Sequence, residues 1–196
     1  MGIEYFKLPI FDRRPYCDPA EWAQRYRYMK TTASMFSFEQ SPYFELPNQV
    51  MGDLAGTACV VLKVPSQTGK TETLINMLGW IVEYDRANTL LIMDTKTSGI
   101  ALSKNRIRPF LRDVCGLDYS KTASSKGKDN DHSMNAVDLG IGRGANVKIG
   151  SSRCAGDLCS TPVKYLLMDE LDRWQQEIRG EGDPISLAFQ RQLRFR

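Results

Sequence analysis

Histidine is nearly absent from this chain: His132 is the single one in 196 residues. A closed structural zinc site needs four nitrogen or sulfur ligands. The five cysteines (Cys17, Cys59, Cys115, Cys154, Cys159) supply one closely spaced pair, Cys154 and Cys159, and no second. No zinc centre is expected. The first residues carry acids and prolines and lack the apolar stretch of an export signal, so reduced thiols and a cytoplasmic location are expected. No run approaches the ~18 apolar residues that span a bilayer, and no membrane partner is expected. Met1-Gly2 opens the chain, but Phe6 stands where a myristoylation pattern wants Ser or Thr. Charge of one sign is scarce as well. The 26 Lys+Arg against 23 Asp+Glu leave +3, which permits a nucleic-acid partner without arguing for one. Internal repeats and low-complexity tracts are missing. With 42% apolar and 25% charged residues the composition excludes a disordered or fibrous chain, and the length suits one domain, or one with a short arm.

What is present alternates between strand-like and helix-like segments. Residues 1–20 form a proline-punctuated arm, and Asp18-Pro19-Ala20-Glu21 is a strong helix start. Trp22, Arg25, Tyr26 and Met29 continue at helical spacing, an irregular aromatic stretch follows over 34–47, and a second helix is predicted over 48–54. Residues 57–64 (TACVVLKV) and 89–93 (TLLIM) are short, continuous apolar runs, the pattern of strands buried on both faces. Between them, 71–84 carries a helical apolar stripe. A helix over 101–111, a polar loop over 118–135, a short strand at 147–149 and a stronger one at 163–168 complete the pattern. Strands alternating with helices at this spacing predict an α/β fold around a parallel sheet.

Two motifs carry chemistry. The first expected strand runs into Pro65-Ser66-Gln67-Thr68-Gly69-Lys70-Thr71 and then a helix. This is the layout of a phosphate-binding loop of the Walker A kind, in which backbone N–H groups and the helix dipole converge on an anion. Gly69 would let the main chain approach the phosphates, with Ser66, Gln67 and Thr68 completing the loop. Lys70 would reach the β- and γ-phosphates and the Thr71 hydroxyl would hold Mg²⁺. The usual first glycine of the pattern is Val64 here. An ordinary β-to-α turn with an exposed lysine is the plainer alternative. The second motif is Tyr165-Leu166-Leu167-Met168-Asp169-Glu170, an apolar strand ending in two carboxylates about 100 residues after Lys70. In this Walker B reading Asp169 binds Mg²⁺ and Glu170 activates the attacking water. The alternative is a solvated acidic turn after a core strand. Both motifs together, in this order, point to an ATPase using ATP and Mg²⁺.

With both motifs in place, the chain resembles the large terminase subunit of tailed bacteriophages, in its lambda-type (phage GpA) branch. The resemblance spans the Trp22 helix, Ser41-Pro42-Tyr43, SQTGKTE at 66–72, Asn76, SKNRIRPFLRD at 103–113, CSTPVKYLLMDELDRW at 159–174 and EGDPISLAFQRQLRF at 181–195. It implies a motor ATPase that packages double-stranded DNA into a procapsid in the host cytoplasm. It also implies a P-loop fold of the additional-strand, helicase-like type, and, as partners, a terminase small subunit, a portal protein and further copies in a ring. Lys70 and Thr71 would grip ATP and Mg²⁺, Asp169 the metal, and Glu170 would be the catalytic carboxylate. Tyr43 would border the adenine. Many such motors place an arginine in or near the loop; here Ser66 occupies that position, so Arg191 or a neighbouring subunit is expected to supply it.

The expected division is 1–47 as arm and helix and 48–196 as the ATPase domain, incomplete before its last strands, with the family's nuclease domain and its endonuclease activity absent. Two other readings stay open: a different helicase-like P-loop enzyme, and a fragment that binds nucleotide or partners without turnover. Basic residues for DNA phosphates are scattered: Arg25, Arg27 and Lys30; Lys121, Lys126 and Lys128; Arg143, Lys148 and Arg153; Arg191, Arg194 and Arg196.

Overall fold

The computed structural model describes residues 14–53, 55–57, 59–117, 138–142, 145–159 and 162–195. The loop expected over 118–135 lies outside the described residues, as do Lys121, Lys126, Lys128, Arg143 and Arg196. Helix α1 (Pro19–Tyr26) starts as its sequence requires: the Asp18 carboxylate accepts the Ala20 and Glu21 amides at 2.8 and 2.9 Å, with Pro19 in the first turn. A small antiparallel hairpin, β1 (Tyr28–Met29) and β2 (Ser34–Met35), follows. A 3-10 turn (Pro42–Phe44) then leads into α2 (Glu45–Met51), which begins before the expected 48–54.

The central sheet has four strands in the order β4-β5-β3-β6. Strand β3 (Thr89–Met93) is buried along its whole length and runs parallel to both neighbours, β5 (Ala145–Ser151) and β6 (Tyr165–Met168). Strand β4 (Asp138–Gly142) closes the far edge as an antiparallel partner of β5, so the sheet is mixed rather than wholly parallel. Neither β4 nor the full length of β5 was expected. Two glycines in DLGIG and one in ANVKIGS dilute the apolar signal.

Side-chain alternation along β3 feeds two cores. Leu91 and Met93, with Tyr165 and Leu167, join Trp22, Leu78, Ile81, Ile107 and Leu111 on one face. Leu90 and Ile92 pack with Leu158, Val163, Ile178 and Ala188 on the other. Helices α1, α3 (Lys70–Trp80), α4 (Lys96–Leu102) and α5 (Arg108–Asp113) supply the first layer. Helices α6 (Ala155–Cys159) and α7 (Pro184–Phe189) supply the second. The helix expected over 101–111 is interrupted: a π-turn, Ser103–Ile107, separates α4 from α5. Among the described residues no helix is long and apolar enough to cross a membrane.

The strand expected over 57–64 is not formed. The described residues of this segment pair with no strand, and Val61 is 75% exposed. Leu62 and Val64 turn inward, against the small cluster of Ala20, Phe38 and Phe44. The apolar run is therefore half-buried, with period-two alternation, rather than sandwiched between two layers. A continuous run of Val and Leu looks the same in both cases.

Helices α1 and α3 approach each other closely. A β-carbon at Gly79 would overlap the Trp22 ring and come within 2.7 Å of Phe110. Alanine favours a helix over glycine by ~1 kcal/mol, but crowding a rigid indole in a packed core costs ~1–3 kcal/mol. Gly79→Ala should therefore lower stability, read as a reduced urea midpoint at unchanged slope; a higher midpoint would show that the indole has room to move.

Candidate functional site

Parallel pairing brings the C-terminal ends of three strands to one edge of the sheet. Met93 stands beside Ser151, and Ile92 beside Met168. The Asp169 amide extends the ladder by donating to the Ile92 carbonyl at 3.0 Å. At this edge of an open α/β sheet ligands bind, and here the two sequence motifs meet. The Thr71 hydroxyl donates to Asp169 Oδ2 at 2.7 Å, across 98 positions of chain. Asp169 is 4% exposed. Its Oδ1 accepts the Glu170 amide at 2.9 Å and its carbonyl accepts the Trp174 indole N–H at 3.0 Å. Each carboxylate oxygen thus accepts one hydrogen bond, and the Trp174 indole holds the residue's backbone.

The loop before α3 is shaped by two left-handed residues, Gln67 at φ +60° and Gly69 at φ +104°. The Thr68 hydroxyl donates to the Pro65 carbonyl at 2.8 Å and tightens the turn. Ser66 and Gln67 are exposed. No side chain caps α3, whose Glu72 and Thr73 amides bond back to the Gly69 carbonyl at 3.0 and 3.3 Å. An uncapped helix start following such a loop favours an anion. The Phe44 ring lies against Gly69, 3.6 Å from where a β-carbon would stand. Tyr43, 54% exposed, packs its ring 4.7 Å from that of Phe44. Lys70 is the first residue of α3.

Glu170 adopts a left-handed conformation, φ +53° and ψ +43°, which a residue with a side chain occupies at a cost of about 1–2 kcal/mol. Its carboxylate accepts from the Arg173 guanidinium at 3.1 Å. The two acids of the motif thus face different surroundings. A hydroxyl and a carboxylate oxygen 2.7 Å apart form a hard, all-oxygen pair. That donor set fits Mg²⁺, which takes one or two protein oxygens and fills its octahedron with water and phosphate.

Arg191, an expected source of arginine, sits elsewhere. Its backbone carbonyl accepts the Val163 amide and its side chain donates to the Cys159 carbonyl, both at 3.1 Å. That is the opposite end of β6 from Asp169, about 20 Å away at the rise of an extended strand. Several of the scattered basic residues are engaged in ion pairs: Arg25 with Glu21, Lys30 with Asp113, Arg153 with Asp94.

Sequence reasoning missed a buried charge cluster beside the loop. Arg27, 3% exposed, pairs with Glu72 Oε2 and donates to the Glu72 carbonyl at 3.1 Å and to Asn76 Oδ1. Its guanidinium lies over the rings of Phe36 and Phe110, 5.1 and 5.5 Å from their centroids. Arg106 takes Glu72 Oε1. Asn76 donates onward to the buried Asn48 at 3.1 Å. Burial, aided by the charge of Arg106, brings Arg27 down to about 9, still cationic at neutral pH. The only hint in the sequence is Glu72 itself, an acid following Thr71 on a largely apolar helix.

The family model described as phage terminase large subunit gpA, ATPase domain, matches residues 31–196. That is most of the chain, and the chain belongs to this family. No curated protein and no solved structure matches it.

Removing one member of a buried ion pair costs ~3–5 kcal/mol because the other charge is stranded, whereas a half-exposed pair contributes ~1 kcal/mol or less. Glu72→Ala should therefore destabilise the protein strongly and Arg106→Ala only slightly. Urea denaturation of the two variants checks the order; equal losses would show that Arg27 does not depend on Glu72.

Proposed function

We propose that this chain carries the ATP-hydrolysing site of a motor that drives double-stranded DNA into a procapsid. Membership of the terminase ATPase family supports an ATPase in a packaging machine. The observation that carries the assignment to particular residues is the Thr71–Asp169 hydrogen bond, because it puts the glycine-containing loop and the acidic strand end at one point.

In this reading the amides following Gly69, with Ser66, Gln67 and Thr68, surround the phosphates, and Lys70 donates to the β- and γ-phosphate oxygens. Thr71 and Asp169 would hold Mg²⁺ through their oxygens, and the ion when bound would supply positive charge to offset that of the phosphates. Glu170 accepts a proton from the water that attacks the γ-phosphorus, the bond to the bridging oxygen breaks, and ADP leaves with phosphate. Tyr43, exposed and backed by Phe44, offers a face for the adenine. The host cytoplasm, the small subunit, the portal and a ring of subunits belong to the same proposal, through the family.

One observation favours a second reading, nucleotide binding without turnover. The Glu170 carboxylate is held by Arg173, and it must part from that guanidinium before it can take a proton from water.

Lys70→Ala should weaken ATP binding about 10–100-fold, the value of one charge-assisted hydrogen bond. Glu170→Gln should bind ATP as the unaltered chain does and release phosphate ~10²–10⁴-fold more slowly. Titration with a fluorescent ATP analogue and a phosphate-release assay, on the intact subunit, measure both. Undiminished turnover in Lys70→Ala would remove this loop from the site. Binding with no phosphate release by the unaltered chain would establish the second reading.

A further inference from the structure

Glu72 has two guanidinium partners and one negative charge. Arg27 is the partner it cannot lose: enclosed, stacked between two rings and tied also to the Glu72 carbonyl and Asn76. Arg106 is the surplus cation. Its side chain is 40% exposed, and it pairs with the carboxylate oxygen that Arg27 leaves, Oε1. It is carried on the π-turn between α4 and α5, a local widening of a helix that recurs at functional sites. Asp169 also acts on it, its charge favouring the protonated guanidinium while burial works against it. Arg106 is therefore paired with Glu72 and within electrostatic reach of Asp169, and these two residues flank Thr71, one by sequence and the other by hydrogen bond. The loop itself, Pro65 to Gly69, contains no arginine.

We propose that Arg106 contacts the terminal phosphate of the bound nucleotide, leaving Glu72 to do so. This rests on the nucleotide site proposed above. A transferring phosphoryl group spreads negative charge over its equatorial oxygens, and a guanidinium fork matches two of them. Glu72 holds the fork in readiness at the start of α3. When Arg106 leaves, Arg27 keeps Glu72 balanced, so the exchange strands no buried charge. Arg106 remains protonated throughout and takes part in no proton transfer.

The test uses the intact chain with Arg106→Ala and Arg106→Gln, the second retaining bulk and hydrogen bonding should the first fold poorly. ADP affinity should stay within about twofold of the unaltered chain in either variant. Affinity for a non-hydrolysable ATP analogue should fall about tenfold or more. Trapping of ADP with aluminium fluoride should disappear, and phosphate release should drop on the order of 10³-fold. Equal weakening of ADP and the ATP analogue, or normal aluminium fluoride trapping, would overturn the role of Arg106 while leaving the site in place. Failure of the unaltered chain to bind either nucleotide would overturn the site and this inference together.

Discussion

A single hydrogen bond, Thr71 to Asp169, fixes the arrangement on which the functional reading depends. It closes the gap between the first turn of α3 and the end of β6, two elements from opposite halves of the chain. Everything else at that edge serves one side of it or the other. The β3–β6 register and the Ile92 carbonyl set the height of Asp169. The seat of Trp22 against Gly79 fixes the axis of α3.

The cluster around Glu72 is the second constraint, and it is of a different kind. A buried guanidinium is expensive unless fully paired. Arg27 is nearly so, with a carboxylate, a carbonyl, an amide oxygen and two aromatic faces around it, and only its Nε lacks a partner. The cluster links α1, α3 and the α4–α5 turn through charge rather than through apolar packing. Charge pairing is directional, so it sets the rotation of α3 as well as its distance from the sheet.

Much of this was legible in the residues, and the failures have physical causes. Strands β3 and β6 were readable because burial on both faces leaves an unbroken apolar run. Residues 57–64 gave the same signal for another reason: Leu62 and Val64 cover a small aromatic cluster while Val61 faces out. Only a neighbouring strand could have separated the two cases, and a linear sequence does not show neighbours. Asp169 and Thr71 were legible by residue type and order, whereas Arg106 was not. Arginine on a helix is usually solvated, and what distinguishes Arg106 is a π-turn and a carboxylate 34 positions away. For the same reason the sequence sets Arg27 among the basic residues for DNA phosphates, although it is buried.

Two residues with side chains, Gln67 and Glu170, occupy backbone shapes in which glycine would be at ease. One shapes the loop before α3 and the other ends the strand motif, so both belong to the edge where Thr71 meets Asp169. A chain shaped for thermal endurance alone would hold glycine at each. Here the fold accepts a standing penalty at two adjoining corners, and the carboxylate at position 170 is what it retains in exchange. The region most exposed to the proposed chemistry therefore carries two of the five left-handed residues with side chains among the described residues, the others being Ala33, Arg86 and Arg179.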